Sequence, residues 1–125
     1  MSGVFQSPVV VAGGGLEGTT MAEDTSRVLQ LARDILNQGW CQRTMAVDAD
    51  GVACGTFDSC AVKWCARGAI YVAARAAGVT SESALHALTT VVRRPITEWN
   101  DEPDRTGCQV LDAFDEAIQS VKGGA

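Results

Sequence analysis

Between Val110 and Val121 the apolar side chains Val110, Leu111, Phe114, Ala117, Ile118 and Val121 recur at steps of three and four residues. This is the period of an α-helix with one greasy face, and such a face is stable only when other elements cover it. The stripe therefore commits the chain to a packed domain built from helices. The same period runs from Asp24 through Val28, Leu31, Ala32, Ile35 and Leu36, with Asp24 or Thr25 as the cap and Gly39 as the stop. Another helix is expected over Ser59–Ala77, capped by Asp58 and stopped by Gly78. Its narrow face is Val62, Ala66, Ala69, Ile70 and Ala73, and Gly68 beside it lets a neighbouring helix come close. Glu82–Arg93 carries Ala84, Leu85, Leu88, Val91 and Val92 and is ended by Pro95. Thr106-Gly107-Cys108-Gln109 opens the last helix with capping-box spacing.

The intervening segments lack this period. Thr44–Val47 and Val52–Phe57 are extended in character, and Asp48-Ala49-Asp50-Gly51 between them has the residues of a tight reversal. As a calcium loop this stretch lacks the full EF-hand ligand set and the distal glutamate. The expected fold is mainly α: a bundle of about four helices, with a short β-hairpin or extended loop between the first two. Residues 1–22 read as an extended N-terminal arm and residues 23–122 as the helical domain. The arm holds one charge, Glu17, five glycines and the run Val9-Val10-Val11, with one short strand expected at Pro8–Ala12. Met21 provides a second explanation, a functional chain that starts there. Ala12-Gly13-Gly14-Gly15 and Gly18-Thr19-Thr20 have no lysine at the P-loop position and are read as linker rather than a phosphate cradle.

Composition narrows the partners. Of 125 residues, 46% are hydrophobic and 20% charged, the balance of a globular domain. The net charge of −5 argues against binding a phosphate backbone, and the apolar runs are too short for a membrane span. Neither nucleic acid nor membrane is expected as a partner. No basic-then-apolar leader opens the chain, so a cytoplasmic protein with reduced thiols is expected. The five cysteines are spaced by thirteen, six, five and forty-three residues, without a C-x-x-C pair. Several of them are read as small buried hydrophobes, with no metal and no cofactor assigned. Lys63, Arg67 and Arg75 stand at multiples of four on one predicted helix face. Seven carboxylates (Glu98, Asp101, Glu102, Asp104, Asp112, Asp115 and Glu116) weigh against a basic nucleic-acid stripe there.

Three compact motifs contain the three tryptophans: Gly39-Trp40-Cys41-Gln42, Trp64-Cys65-Ala66-Arg67-Gly68-Ala69, and Trp99-Asn100-Asp101. In their order and spacing the chain resembles a group of small bacterial and phage proteins known only as a domain of unknown function. The resemblance covers Asp24 to Val121. It implies a small, largely helical domain and brings no activity with it. Arg43 stands where that pattern often has glycine, a departure that bears on the local turn. As structural residues, Trp40, Trp64 and Trp99 would anchor the core with each indole N–H on a nearby carbonyl. Gly68 would serve packing, and Asn100 and Asp101 would fix a turn before Pro103.

The same residues permit a chemical reading. Gln42, Cys65, His86 and Asn100 follow the order of oxyanion donor, nucleophile, base and orienting amide in papain-like hydrolases. Against it, a helix capped at Asp58 would put Cys65 in the second turn, beyond most of the dipole's influence, and His86 is the single histidine of the chain. The leading expectation is a non-catalytic accessory protein acting through protein–protein contacts, with a partner or a second copy held by the arm. An assembly or virion-associated component fits a phage source. The alternative is a cysteine-dependent hydrolase or transferase.

Overall fold

The computed structural model describes residues 20–124. Residues 1–19 of the expected arm, with its strand at Pro8–Ala12 and its glycines, lie outside them. The described chain is mainly helical with a small antiparallel sheet: α1 Met21–Gln38, β1 Ala46–Val47, β2 Ala53–Cys54, β3 Lys63–Trp64, α2 Ala66–Ala77, α3 Glu82–Val92, α4 Ile96–Asn100 and α5 Gly107–Gly124. Where about four helices were expected, these residues form five, the addition being the short α4 after Pro95.

Helix α1 starts at Met21, earlier than the Asp24 expected and inside the stretch read as arm. Thr20 caps it: its hydroxyl accepts the Glu23 N–H at 3.0 Å, and the Glu23 carboxylate accepts the Thr20 N–H at 2.8 Å. The buried face of α1 comprises Val28, Leu29, Ala32 and Leu36 together with Thr25 and Ser26, while Leu31 and Ile35 are only partly covered. This face packs on α2 and α5. Helix α5 buries Val110, Ala113, Phe114, Ala117 and Ile118, and Phe114 is fully enclosed. Its predicted capping box is present, Thr106 and Gln109 exchanging two bonds of 3.1 Å. Arg33 of α1 grips both carboxylate oxygens of Asp115 on α5, which ties the outer edges of the two long helices together.

The sheet is larger than a hairpin and displaces the start of α2. Strand β1 is central, pairing antiparallel with β2 (Ala46↔Cys54, Val47↔Ala53) and with β3 (Ala46↔Trp64, Val47↔Lys63). The β1–β2 reversal is the Asp48–Gly51 turn. Asp48 Oδ1 accepts the Asp50 and Val52 N–H groups at 2.9 and 3.0 Å, and Gly51 takes a φ of 81°. Because Lys63–Trp64 is a strand, the expected helix over Ser59–Ala77 begins only at Ala66, and its N-cap is Cys65 rather than Asp58. Val62, expected on the buried helix face, is exposed. Lys63 leaves the predicted basic row. Arg67 and Arg75 instead lie against the Tyr71 and Phe57 rings, Arg75 at 4.4 Å from its ring centre.

Gly39 and Gly68 are close-approach positions. A Cβ on Gly39 would meet the Val62 carbonyl oxygen at 2.5 Å, and one on Gly68 would meet the Met45 carbonyl oxygen at 2.6 Å. Gly68 thus admits the backbone entering β1, rather than another helix.

Candidate functional site

The three tryptophan motifs, far apart in the chain, meet at Asn100. After α1 the backbone at Gly39–Trp40 runs alongside β3 in a parallel bridge. Trp64 N–H bonds the Gly39 carbonyl at 3.1 Å and Cys41 N–H bonds the Trp64 carbonyl at 3.0 Å. Helix α4 brings Asn100, its last residue, against this junction with no exposed surface. Asn100 Oδ1 accepts the Trp40 indole N–H at 2.8 Å and the Ala66 backbone N–H at 3.0 Å. Its Nδ2 donates to the Cys41 carbonyl at 3.2 Å and to Asp101 Oδ1 at 2.9 Å. One amide therefore satisfies an indole, a free N–H in the first turn of α2 and a loop carbonyl.

Gln42 and Asp101 close the network from outside. Gln42 Nε2 donates to the Asn100 carbonyl at 2.9 Å and the Glu102 carbonyl at 2.8 Å, so both of its amide hydrogens are used on backbone. Asp101 Oδ1 also accepts the Arg43 N–H at 2.8 Å, and Arg43 sits at a φ of 73°. That is the left-handed region where glycine is at ease, so the turn keeps the shape a glycine would take and the arginine bears the strain.

The tryptophans divide their tasks. Trp64 donates its indole N–H to the Thr56 carbonyl at 3.0 Å, as expected for a core anchor. Trp40 spends its own on the Asn100 side chain instead of a backbone carbonyl. Trp99 lies under the Arg105 guanidinium, 4.2 Å from its ring centre, while Arg105 Nε donates to the Trp99 carbonyl at 2.9 Å.

Cys65 occupies the helix N-terminus, not the second turn. Its Sγ accepts the Gly68 N–H at 3.3 Å and lies 3.7 Å from Met45 Sδ. Only 3% of the residue is exposed. Burial pushes the thiol up, and the Gly68 and Arg67 backbone N–H groups pull it back only in part. Burial likewise raises Cys41 from the ordinary 9.0 to about 11.

Of the four residues in the chemical reading, the structure brings Gln42, Cys65 and Asn100 to one junction and leaves His86 out of it. His86 is exposed on α3, and no side-chain hydrogen bond joins it to another described residue. Asn100 is engaged by tryptophan and backbone rather than by an imidazole. Where several buried cysteines were expected, Cys65 is buried; Cys41 and Cys54 are half-buried, and Cys60 and Cys108 are exposed.

Residue spacing did not single out Cys54, Asp58 and Cys60. Their ligand atoms lie within 4.8 Å of one another, Cys54 at the end of β2 and the other two on the loop that leads to β3. The available signal was C-x3-D-x-C, which becomes meaningful only once the loop's return is known. No helix among the described residues is long and apolar enough to cross a membrane.

Comparison with curated proteins and with solved structures finds no match. Residues 21–120, from the first residue of α1 to near the end of α5, match the model of a family of unknown function, DUF6197, and this chain belongs to that family.

Proposed function

We propose that the protein is a non-catalytic accessory protein that works through protein–protein contacts, binding a partner or a second copy with the help of its N-terminal arm. The observation that carries this reading is the closure of the Asn100 junction. The two amides a reaction would need there, Gln42 and Asn100, are already committed to the Trp40 indole, Asp101 and backbone, and of the two cysteines at the junction Cys65 is covered and Cys41 half-buried. Exposed apolar side chains elsewhere support the reading. Val52, Phe57 and Val62 are 59%, 53% and 42% exposed within one eleven-residue stretch around the sheet, a local concentration of apolar surface that a partner would cover. In this reading the arm, with its glycines and valines and a single charge, is the tether to the partner. A cytoplasmic setting, or a virion if the source is a phage, belongs to this proposal.

The alternative, a cysteine-dependent hydrolase or transferase, draws on one observation: Cys65 stands at a helix N-terminus with Asn100 and Gln42 close by. It needs an exposed thiolate and a base, and His86 would have to reach it.

Two measurements separate the readings. Sedimentation of the full chain and of a chain starting at Thr20, alone and with extract of the source organism, should reveal an assembly that requires residues 1–19. Mass-resolved iodoacetamide labelling at neutral pH should find Cys65 slower than Cys108 and unchanged by His86→Ala. Rapid labelling of Cys65 that is lost in His86→Ala would replace this proposal with the enzyme. A full chain that stays monomeric and partnerless would remove the tether.

A further inference from the structure

The loop between β2 and β3 turns back on itself within six residues. Asp58 N–H bonds the Gly55 carbonyl, and Ala61 N–H bonds the Asp58 carbonyl, both at 3.1 Å; these two successive reversals carry Cys60 back beside Cys54. Asp58 Oδ2 accepts the Gly55 N–H at 2.7 Å, which aims the carboxylate into the same small space. Gly55 makes room for it: a Cβ there would stand 3.0 Å from all three carboxyl atoms of Asp58. The loop is braced from outside by residues that are not part of the cluster. Trp64 holds the Thr56 carbonyl, and Arg75 covers the Phe57 ring. The thiols of Cys54 and Cys60 are free, and both lie with the Asp58 carboxylate inside a 4.8 Å span.

We propose that Cys54, Asp58 and Cys60 form a zinc site, with three protein ligands and the fourth position open to solvent. Tetrahedral zinc with bonds of about 2.3 Å to sulfur and about 2.0 Å to oxygen sets its donors roughly 3.5–3.8 Å apart. The three side chains reach that spacing by drawing in by at most about 1.3 Å, and exposed Asp58 and Cys60 have freedom to rotate. The donor set selects the ion. Two sulfurs exclude magnesium and calcium, and a carboxylate beside them suits zinc better than cuprous copper. On binding, the two thiols release two protons, both sulfurs and one carboxylate oxygen bond the metal, and no oxidant is needed. The solvent-facing fourth position would accept water or a donor from another molecule.

The test uses the full chain, reduced and freed of metal. Zinc titrated against a chromophoric chelator should bind at one ion per chain. Cys54→Ser, Cys60→Ser and Asp58→Asn should each weaken it by more than about tenfold, while Cys108→Ser leaves it unchanged. Cobalt in place of zinc should give the near-ultraviolet thiolate charge-transfer band. In the unaltered chain, where no variant can misfold, zinc should protect Cys54 and Cys60 from alkylation and leave Cys108 reactive. Zinc binding that survives in the Cys54→Ser/Cys60→Ser double variant would overturn the assignment. So would a cobalt complex without the thiolate band, or unchanged alkylation of Cys54 and Cys60 with zinc present.

Discussion

Trp40 donates its indole N–H to the side-chain oxygen of Asn100 across 2.8 Å and sixty positions of sequence. The bond joins the end of α1 to the end of α4, and the same oxygen accepts the Ala66 N–H in the first turn of α2. The signature tryptophans thus do more than fill space: one of them fixes the orientation of the amide on which three segments converge.

Replacing Asn100 by alanine should be among the most damaging single changes in the chain. It strands the Trp40 and Ala66 N–H groups and the Cys41 carbonyl at a site with no exposed surface. At 1–3 kcal/mol for each unsatisfied buried group, the loss should be about 3 kcal/mol or more. The thermal midpoint should fall by about 10 °C or more; a shift of a degree or two would mean that water enters and replaces the amide.

Phe114→Ala should cost about 3–5 kcal/mol in urea unfolding, because the ring is fully enclosed between α5 and its neighbours. Leu111→Ala, one face over and only partly covered, should cost distinctly less. Equal costs would place the centre of the core elsewhere.

Truncation should reveal the cap. A chain that begins at Thr20 retains the reciprocal bonds with Glu23, whereas Thr20→Ala in the full chain should lose about 1 kcal/mol. Chemical denaturation of both forms tests this, and a Thr20→Ala variant as stable as the unaltered chain would show that the cap contributes nothing.

Arg43→Gly should raise stability by about 1 kcal/mol, since it removes a side chain from a φ of 73° while leaving the N–H bond to Asp101 intact. The gain is partly offset by the greater freedom of glycine in the unfolded chain. A fall in the unfolding midpoint would mean that the arginine side chain earns its place by a contact of its own.

Alkaline pH should destabilise the fold through its thiols. Cys41 ionises at about 11 in the folded chain against an ordinary 9.0, so the folded state keeps a proton that the unfolded state gives up between those values. Stability from this group is complete below about pH 8.5 and is lost as pH rises through about 11. Cys65 acts in the same direction. Denaturant midpoints measured across this range should decline, and Cys41→Ser should flatten the decline.

The features legible in the chain are those whose causes lie within a few residues. The stripe Val110–Val121, the Thr106–Gln109 box, the Asp48–Gly51 reversal and the helix stops at Gly39 and Gly78 each depend on neighbours in sequence, and each appears where expected. The start of α2 was decided by tertiary structure. Ser59–Trp64 has no local barrier to helix, but Lys63–Trp64 pairs with Ala46–Val47, and a backbone N–H spent on a strand cannot also close a helical turn. That pairing moved Cys65 to the N-cap, turned Val62 outward and bent the preceding loop until Cys54, Asp58 and Cys60 met. Asn100 was readable as a turn residue. Its four side-chain hydrogen bonds were not, because three of the partners lie more than thirty positions away and are brought within reach only by packing.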